Sequence, residues 1–179
     1  MKHPPGLSPD APRDQTVLVR PPFLTDAAAM WRVAHEGLDV NSPYSYLMLA
    51  EHFADTCAVA LPGASSGGDV GNLAGFVTGF CPPAAPDTLF IWQIAVAAAH
   101  RQHRLGVRLL DHLVDRPRLQ PLRFLEATVT PTNEPSARLF ERFAAARGAP
   151  VDWQPLFERE HFPDPAAHEP ERRVRIGPM

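Results

Sequence analysis

The chain has 179 residues, 45% of them hydrophobic, and a formal net charge of −3. That length suits one domain with its own core, and the mild acidity argues against non-specific binding to nucleic acid or to a membrane surface. No stretch is apolar for long enough to span a bilayer, Cys57 and Cys81 fall in apolar strand-like runs and read as buried free thiols, and no Cys/His spacing marks a metal site.

Residues 1–15 carry four prolines and several charges but little to bury, so they read as a disordered tail, and 16–179 as a single domain. The tail has no apolar run of the secretory kind, which points to a cytoplasmic protein. Thr16–Arg20 is a short strand ended by Pro21 and Pro22. Thr25 or Asp26 is expected to cap a helix running to Leu38, with Met30, Ala34 and Leu38 on one face.

The polar segment Asp39-Val40-Asn41-Ser42-Pro43-Tyr44 separates this helix from a second, Tyr44–Phe53, whose core side chains are expected to be Leu47, Leu49 and Phe53. Thr56–Leu61 and Leu73–Cys81 form a strand pair around a Gly/Ser-rich loop, Pro62–Asn72. Thr88–Val96 is the next strand. Leu105–Asp115 is a helix with two apolar rows, broad enough to pack on a sheet. Leu122–Thr130 is so continuously apolar that it predicts a central strand. Asn133 and Pro135 open a helix reaching Ala146. Val151–Phe157 and Arg172–Ile176 close the sheet.

Five places carry chemistry. The turn Arg101-Gln102-His103-Arg104-Leu105-Gly106 joins a strand to a helix, so unpaired N–H groups and basic side chains together make an anion cradle. A solvated basic helix start is the plainer reading of the same turn. Trp92 stands in a strand whose following backbone, Ile94, Ala95 and Val96, can pair with an extended ligand, and one N–H there can serve as an oxyanion donor; filling core is the alternative. Glu126 lies inside an apolar strand, where a carboxylate needs a role, either a general base, a partner for a substrate ammonium, or a salt bridge. The run Asp39–Tyr44 offers a carboxylate, an amide, a hydroxyl and a phenol to a small cationic ligand, or simply forms a turn. His161 and His168, near the C-terminus, can meet a carboxylate when charged.

The turn at Arg101–Gly106 resembles the pyrophosphate loop of the GNAT acetyltransferases, Gln/Arg-x-x-Gly-x-Gly/Ala. Arg104 replaces the middle glycine, and Gln102 another glycine frequent in such loops. The blocks Leu38–Leu47, Phe53–Thr56, Pro86–Val96, Leu125–Asn133, His168-Glu169 and Arg175–Pro178, taken in order, resemble the L-2,4-diaminobutyrate acetyltransferases of ectoine biosynthesis, a branch of that superfamily.

The resemblance implies an α/β (α+β) GNAT fold, with a mixed, strongly twisted sheet of six to seven strands flanked by about four helices. It implies acetyl transfer from acetyl-CoA to the γ-amine of L-2,4-diaminobutyrate by direct attack in a ternary complex, without a metal, in a homodimer. Asp39, Asn41, Tyr44, Trp92, Thr130 and His168 would then line the acceptor site. Glu126, Tyr44 and Trp92 would serve catalysis. Ile94, Ala95, Val96, Asn133 and the turn Arg101, Gln102, His103, Arg104, Leu105 and Gly106 would hold the cofactor. Phe140 stands where many of these enzymes carry a Tyr that protonates the leaving thiolate. Two other readings stay open on the residues alone: a GNAT enzyme for a different small amine, and a ligand-binding module that has lost catalysis.

Overall fold

The computed structural model describes residues 17–37, 41–63, 72–101, 104–119 and 121–179. The expected N-terminal tail, the tip of the 62–72 loop, Leu38, Asp39, Val40, Gln102 and His103 lie outside the described residues. Seven strands form one sheet: β1 (Leu18–Arg20), β2 (Ala58–Leu61), β3 (Gly75–Phe80), β4 (Thr88–Val96), β5 (Phe124–Val129), β6 (Val151–Phe157) and β7 (Glu171–Ile176). Their spatial order is β1-β2-β3-β4-β5-β7-β6. Neighbours run antiparallel except β4 and β5, which are parallel because helix α3 (Leu105–Val114) carries the chain back between them. The other helices are α1 (Ala27–Ala34), α2 (Pro43–His52) and α4 (Glu134–Arg147).

Each sheet face has its own core. Leu89, Ile91, Leu125, Ala127, Val129, Val174 and Ile176 face α3 and α4. Both apolar rows of α3 are buried, and each fully buried leucine contributes about 2 kcal/mol by area. On the opposite face, Val59 and Phe76 pack against Met30, Val33, Ala34, Tyr46 and Ala50 of α1 and α2.

Three details differ from the sequence reading. First, α1 has no side-chain cap. A 3-10 turn, Leu24–Asp26, precedes it, and Asp26 instead pairs with Arg20 at 2.6 Å and accepts the Phe23 N–H at 2.6 Å. The regular helix stops at Ala34. Second, α2 buries Tyr46, Leu49 and Ala50, one helical face, while Leu47 and Phe53 are about two-fifths exposed. Third, β5 is central but not two-sided in its chemistry. Leu125, Ala127 and Val129 alternate with Glu126 and Thr128, which point away from α3 and α4.

Candidate active site

The ladder between β4 and β5 runs from Thr88–Phe124 to Ile91–Ala127 and ends there. Beyond it a cleft of about 410 Å³ opens, lined by Ile94, Ala95 and Val96 of β4, Val33 of α1, Glu36 and Gly37 just after it, Arg101, and Asn133, Pro135, Ser136 and Leu139 at the start of α4. Peptide groups of an interrupted strand suit an extended ligand, as at any sheet edge. Asn133 does two things at once. Its Oδ1 accepts the Ser136 N–H at 3.2 Å, capping α4, and its side chain lines the cleft.

Pro135 and Leu139 also border a second cavity, of about 210 Å³, with Arg104, Gly106, Val107, Arg138 and Arg142. The cleft therefore runs on to the start of α3, where the first-turn N–H groups have no intrahelical acceptor. The first regular bond of α3 is Arg108 N–H to Arg104 O, 3.1 Å. Arg104, at the position of the family's glycine, has φ 54° and ψ 21°, a left-handed conformation that a glycine adopts without penalty. Three arginines at the mouth suit a polyphosphate, although Arg138 also pairs with Glu134 at 2.7 Å. Sequence reading missed Arg138 and Arg142; their i, i+4 spacing on α4 was the available signal. Arg101, expected at the cofactor site, lines the cleft and also has a structural task. Its Nε donates to Val96 O at 3.2 Å and its Nη2 to Glu36 O at 3.4 Å, while Glu36 accepts the Ala98 N–H at 2.7 Å. It fastens the turn that borders the cleft.

On the other side of β4 lies the largest of these cavities, about 710 Å³, between α2 and the far half of the sheet. Tyr44, Met48 and Phe53 form one wall, and Phe80, Phe90, Trp92, Thr128, Glu171, Phe157 and Phe162 the rest. Trp92 reaches it through a β-bulge. Gly79 pairs with Ile91 and Thr78 with Gln93, so Trp92 has no opposite residue. A side chain at a bulge is re-aimed: Phe90, Trp92 and Gln93 all serve the α2 side, and Ile94 returns to the α3 core. Trp92 thus lines the large cavity and Ile94 the cleft, two residues apart on one strand. Gln93 is held by the Tyr46 hydroxyl, which donates to its Oε1 at 2.9 Å. Burial pushes the Tyr46 phenol up, with Asn41 and Gln93 opposing through hydrogen bonds. Asn41 therefore acts on Tyr46.

Glu126 is not a free carboxylate facing the cavity. Arg175 donates to it from the paired position on β7, and Arg173 lies 3.7 Å away. Its carboxylate is thus committed to the salt bridge that the sequence also offered, and it is not among the described residues of the cavity lining. Thr128, rather than Thr130, lines the cavity; Thr130 follows β5, and its carbonyl accepts the Asn133 N–H. Tyr44 is at the cavity mouth, 66% exposed. His168 is exposed and stacks on Phe162 with ring centroids 4.7 Å apart. His161 binds the Glu158 N–H through Nδ1, 2.9 Å. Glu171, which the sequence reading did not single out, opens β7 and is the charged side chain among the described residues of the lining. Phe140 is buried in the α3–α4 core, with no hydroxyl to offer.

A cleft at the splay of two parallel strands, ending at a helix N-terminus, with a second cavity across the same strand, defines an acyltransferase that takes its donor from one side and its acceptor from the other. The chain matches the model of the "Acetyltransferase (GNAT) family" over residues 25–145 and belongs to that family. It is 41% identical over 173 residues to the L-2,4-diaminobutyric acid acetyltransferase of Shouchella clausii (strain KSM-K16), covering 92% of this chain and 93% of that protein. It is 44% identical over 164 residues to the protein of the same name from Bordetella parapertussis, covering 90% and 84%. A solved diaminobutyrate acetyltransferase from Paenibacillus lautus, in complex with L-2,4-diaminobutyric acid and coenzyme A, superimposes with a TM-score of 0.82 at 36% identity, covering 92% of this chain and 96% of that one. Within the GNAT family the chain belongs with the L-2,4-diaminobutyric acid acetyltransferases.

Proposed function

We infer that the protein transfers the acetyl group of acetyl-CoA to the γ-amine of L-2,4-diaminobutyrate, giving the precursor of ectoine. The observation that carries this is the position of Trp92 and Ile94, which line the acceptor cavity and the cofactor cleft from one strand. Acetyl-CoA supplies an activated thioester. The N–H groups at the start of α3, with Arg104, Arg138 and Arg142, receive its phosphates. Backbone groups of Ile94, Ala95 and Val96 pair with the pantetheine arm, and one N–H there receives the developing oxyanion.

The bulged Trp92 walls the acceptor chain, and Glu171 takes the γ-ammonium and its proton, so that a neutral amine attacks directly. Holding both reactants across one strand supplies much of the rate. Asp39 supports the reading by resemblance as the partner of the α-ammonium. Tyr44 stands at the mouth, where a proton can pass to solvent. The protein acts in the cytoplasm as a homodimer, without nucleic acid or membrane. Among the described residues no helix is long and apolar enough to cross a membrane.

The test is thiol release from acetyl-CoA with L-2,4-diaminobutyrate, reading the acetylated nitrogen by NMR. Turnover at the γ-nitrogen is expected. Faster turnover of ornithine, lysine or a polyamine would move the reading to another small amine. Binding without thiol release would make this chain a ligand-binding relative.

A further inference from the structure

The acceptor is an amino acid, yet the described lining of its cavity offers no cation for the carboxylate. Glu171 is the charged group there, and it suits an ammonium. The missing charge lies one row away. Val174 and Ile176 of β7 face the α3–α4 core, so Glu171, Arg173 and Arg175 share the face that carries the cavity. Arg173 stands directly opposite Thr128, a lining residue, and two residues from Glu171, about 7 Å along an extended strand.

Glu126, only 9% exposed, serves both neighbouring guanidinium groups through one oxygen. Arg175 makes the close bond. Arg173 is 3.7 Å away, donates through Nη2 to Gln154 Oε1 at 2.9 Å, and keeps 29% of its side chain exposed. The three charges sum to +1, and the looser guanidinium is the one beside Thr128.

We propose that Arg173 receives the α-carboxylate of the acceptor, and that Glu126 is a positioning residue that holds Arg173 and Arg175 in place. The proposal rests on the acetyl-transfer reading above. A guanidinium presents paired donors in the fork that a carboxylate fits, and a second acid is what keeps such a fork oriented. His168, stacked on Phe162, is the rival cation.

The test compares L-2,4-diaminobutyrate with 1,3-diaminopropane, the same diamine without its carboxylate. The wild type should favour the amino acid. Arg173→Gln should lower kcat/KM for diaminobutyrate about 10- to 100-fold, the range for a lost charged hydrogen bond. It should leave 1,3-diaminopropane turnover and the KM for acetyl-CoA unchanged, so the preference collapses. Arg173→Lys should recover part of it, and His168→Gln should keep the preference.

Equal use of both acceptors by the wild type, a preference that survives Arg173→Gln, or one lost with His168→Gln instead would each overturn the assignment. If Arg173→Gln does not fold, Arg173→Lys carries the test, and equal loss on both acceptors would show a merely structural role. A wild type inactive on diaminobutyrate sinks the acetyl-transfer reading itself. Calorimetric binding of the two acceptors to wild type and Arg173→Lys still decides the carboxylate contact.

Discussion

Gly106 of α3 meets Leu139 of α4 so closely that a Cβ on the glycine would lie 2.9 Å from Leu139 Cδ1. The helix start proposed to receive phosphates is therefore set by its fit to α4, whose own first turn lines the same cleft. Gly106→Ala asks only the tip of a flexible leucine to move. Gly106→Val adds two methyl groups at the same contact and should destabilise by about 1–3 kcal/mol. Thermal denaturation should rank wild type above Ala above Val, and the KM for acetyl-CoA should rise in the same order.

Arg104 opens α3 in a left-handed conformation. That backbone costs a non-glycine residue about 1–2 kcal/mol, partly offset because glycine loses more entropy on folding. Arg104→Gly should stabilise the fold by roughly 0.5–1 kcal/mol in urea titrations. It should also weaken acetyl-CoA binding and reduce its salt dependence, because one charge leaves the groove. Opposite movement of stability and affinity is the signature expected.

Glu171 is assigned the γ-ammonium and its proton. Glu171→Gln keeps the shape and removes the proton acceptor. Its kcat should fall about 100-fold or more, the usual contribution of a positioned base. Acetyl-CoA binding should be unchanged. A raised pH should not restore the wild-type rate unless water alone takes the proton.

Arg116, after α3, is 9% exposed and donates through Nη1 to the carbonyls of Ala54, Asp55 and Cys57, at 3.1, 2.5 and 3.1 Å. It fastens the segment that follows Phe53, a wall of the acceptor cavity. Arg116→Met strands these carbonyls and should cost about 3 kcal/mol. Burial pushes the Cys57 thiol up to about 11, and it donates to Gly79 O at 3.9 Å. Alkylation of Cys57, slow in the wild type, should accelerate in the variant.

His112 of α3 is harder to protonate than a free histidine, first because of burial and then because of Arg116. Its folded pKa is below its unfolded value, so protonation favours the unfolded chain. The stability it allows is whole above about pH 6.5 and is lost as the pH falls below that. His112→Asn should flatten the decline of the urea midpoint on the acid side and leave the midpoint above pH 7 little changed.

The strands, the helices and most of the core were legible because they follow local periodicity. The two rows of α3 read as a sheet-facing helix and are all buried. Asn133 read as a cap beside the cofactor, and it caps α4 while lining the cleft. What failed depended on partners distant in sequence. Leu47 and Tyr46 are equally apolar in pattern, and only docking of α2 on Phe76 and Gln93 decides which is buried. Glu126 looked uncommitted because Arg173 and Arg175 arrive from the far end of the chain.

The sequence by itself determined the element order and the family, since these rest on residue types at fixed spacing. Only the tertiary structure decided which side chains line the large cavity. Trp92 reaches the cavity because β3 pairs Gly79 with Ile91 and Thr78 with Gln93, leaving one residue of β4 unmatched and turned. Glu171, Thr128 and Arg173 share a face because β5 and β7 meet in one register, and a slip of β7 by a single residue would send Glu171 and Arg173 to the opposite face, away from Thr128.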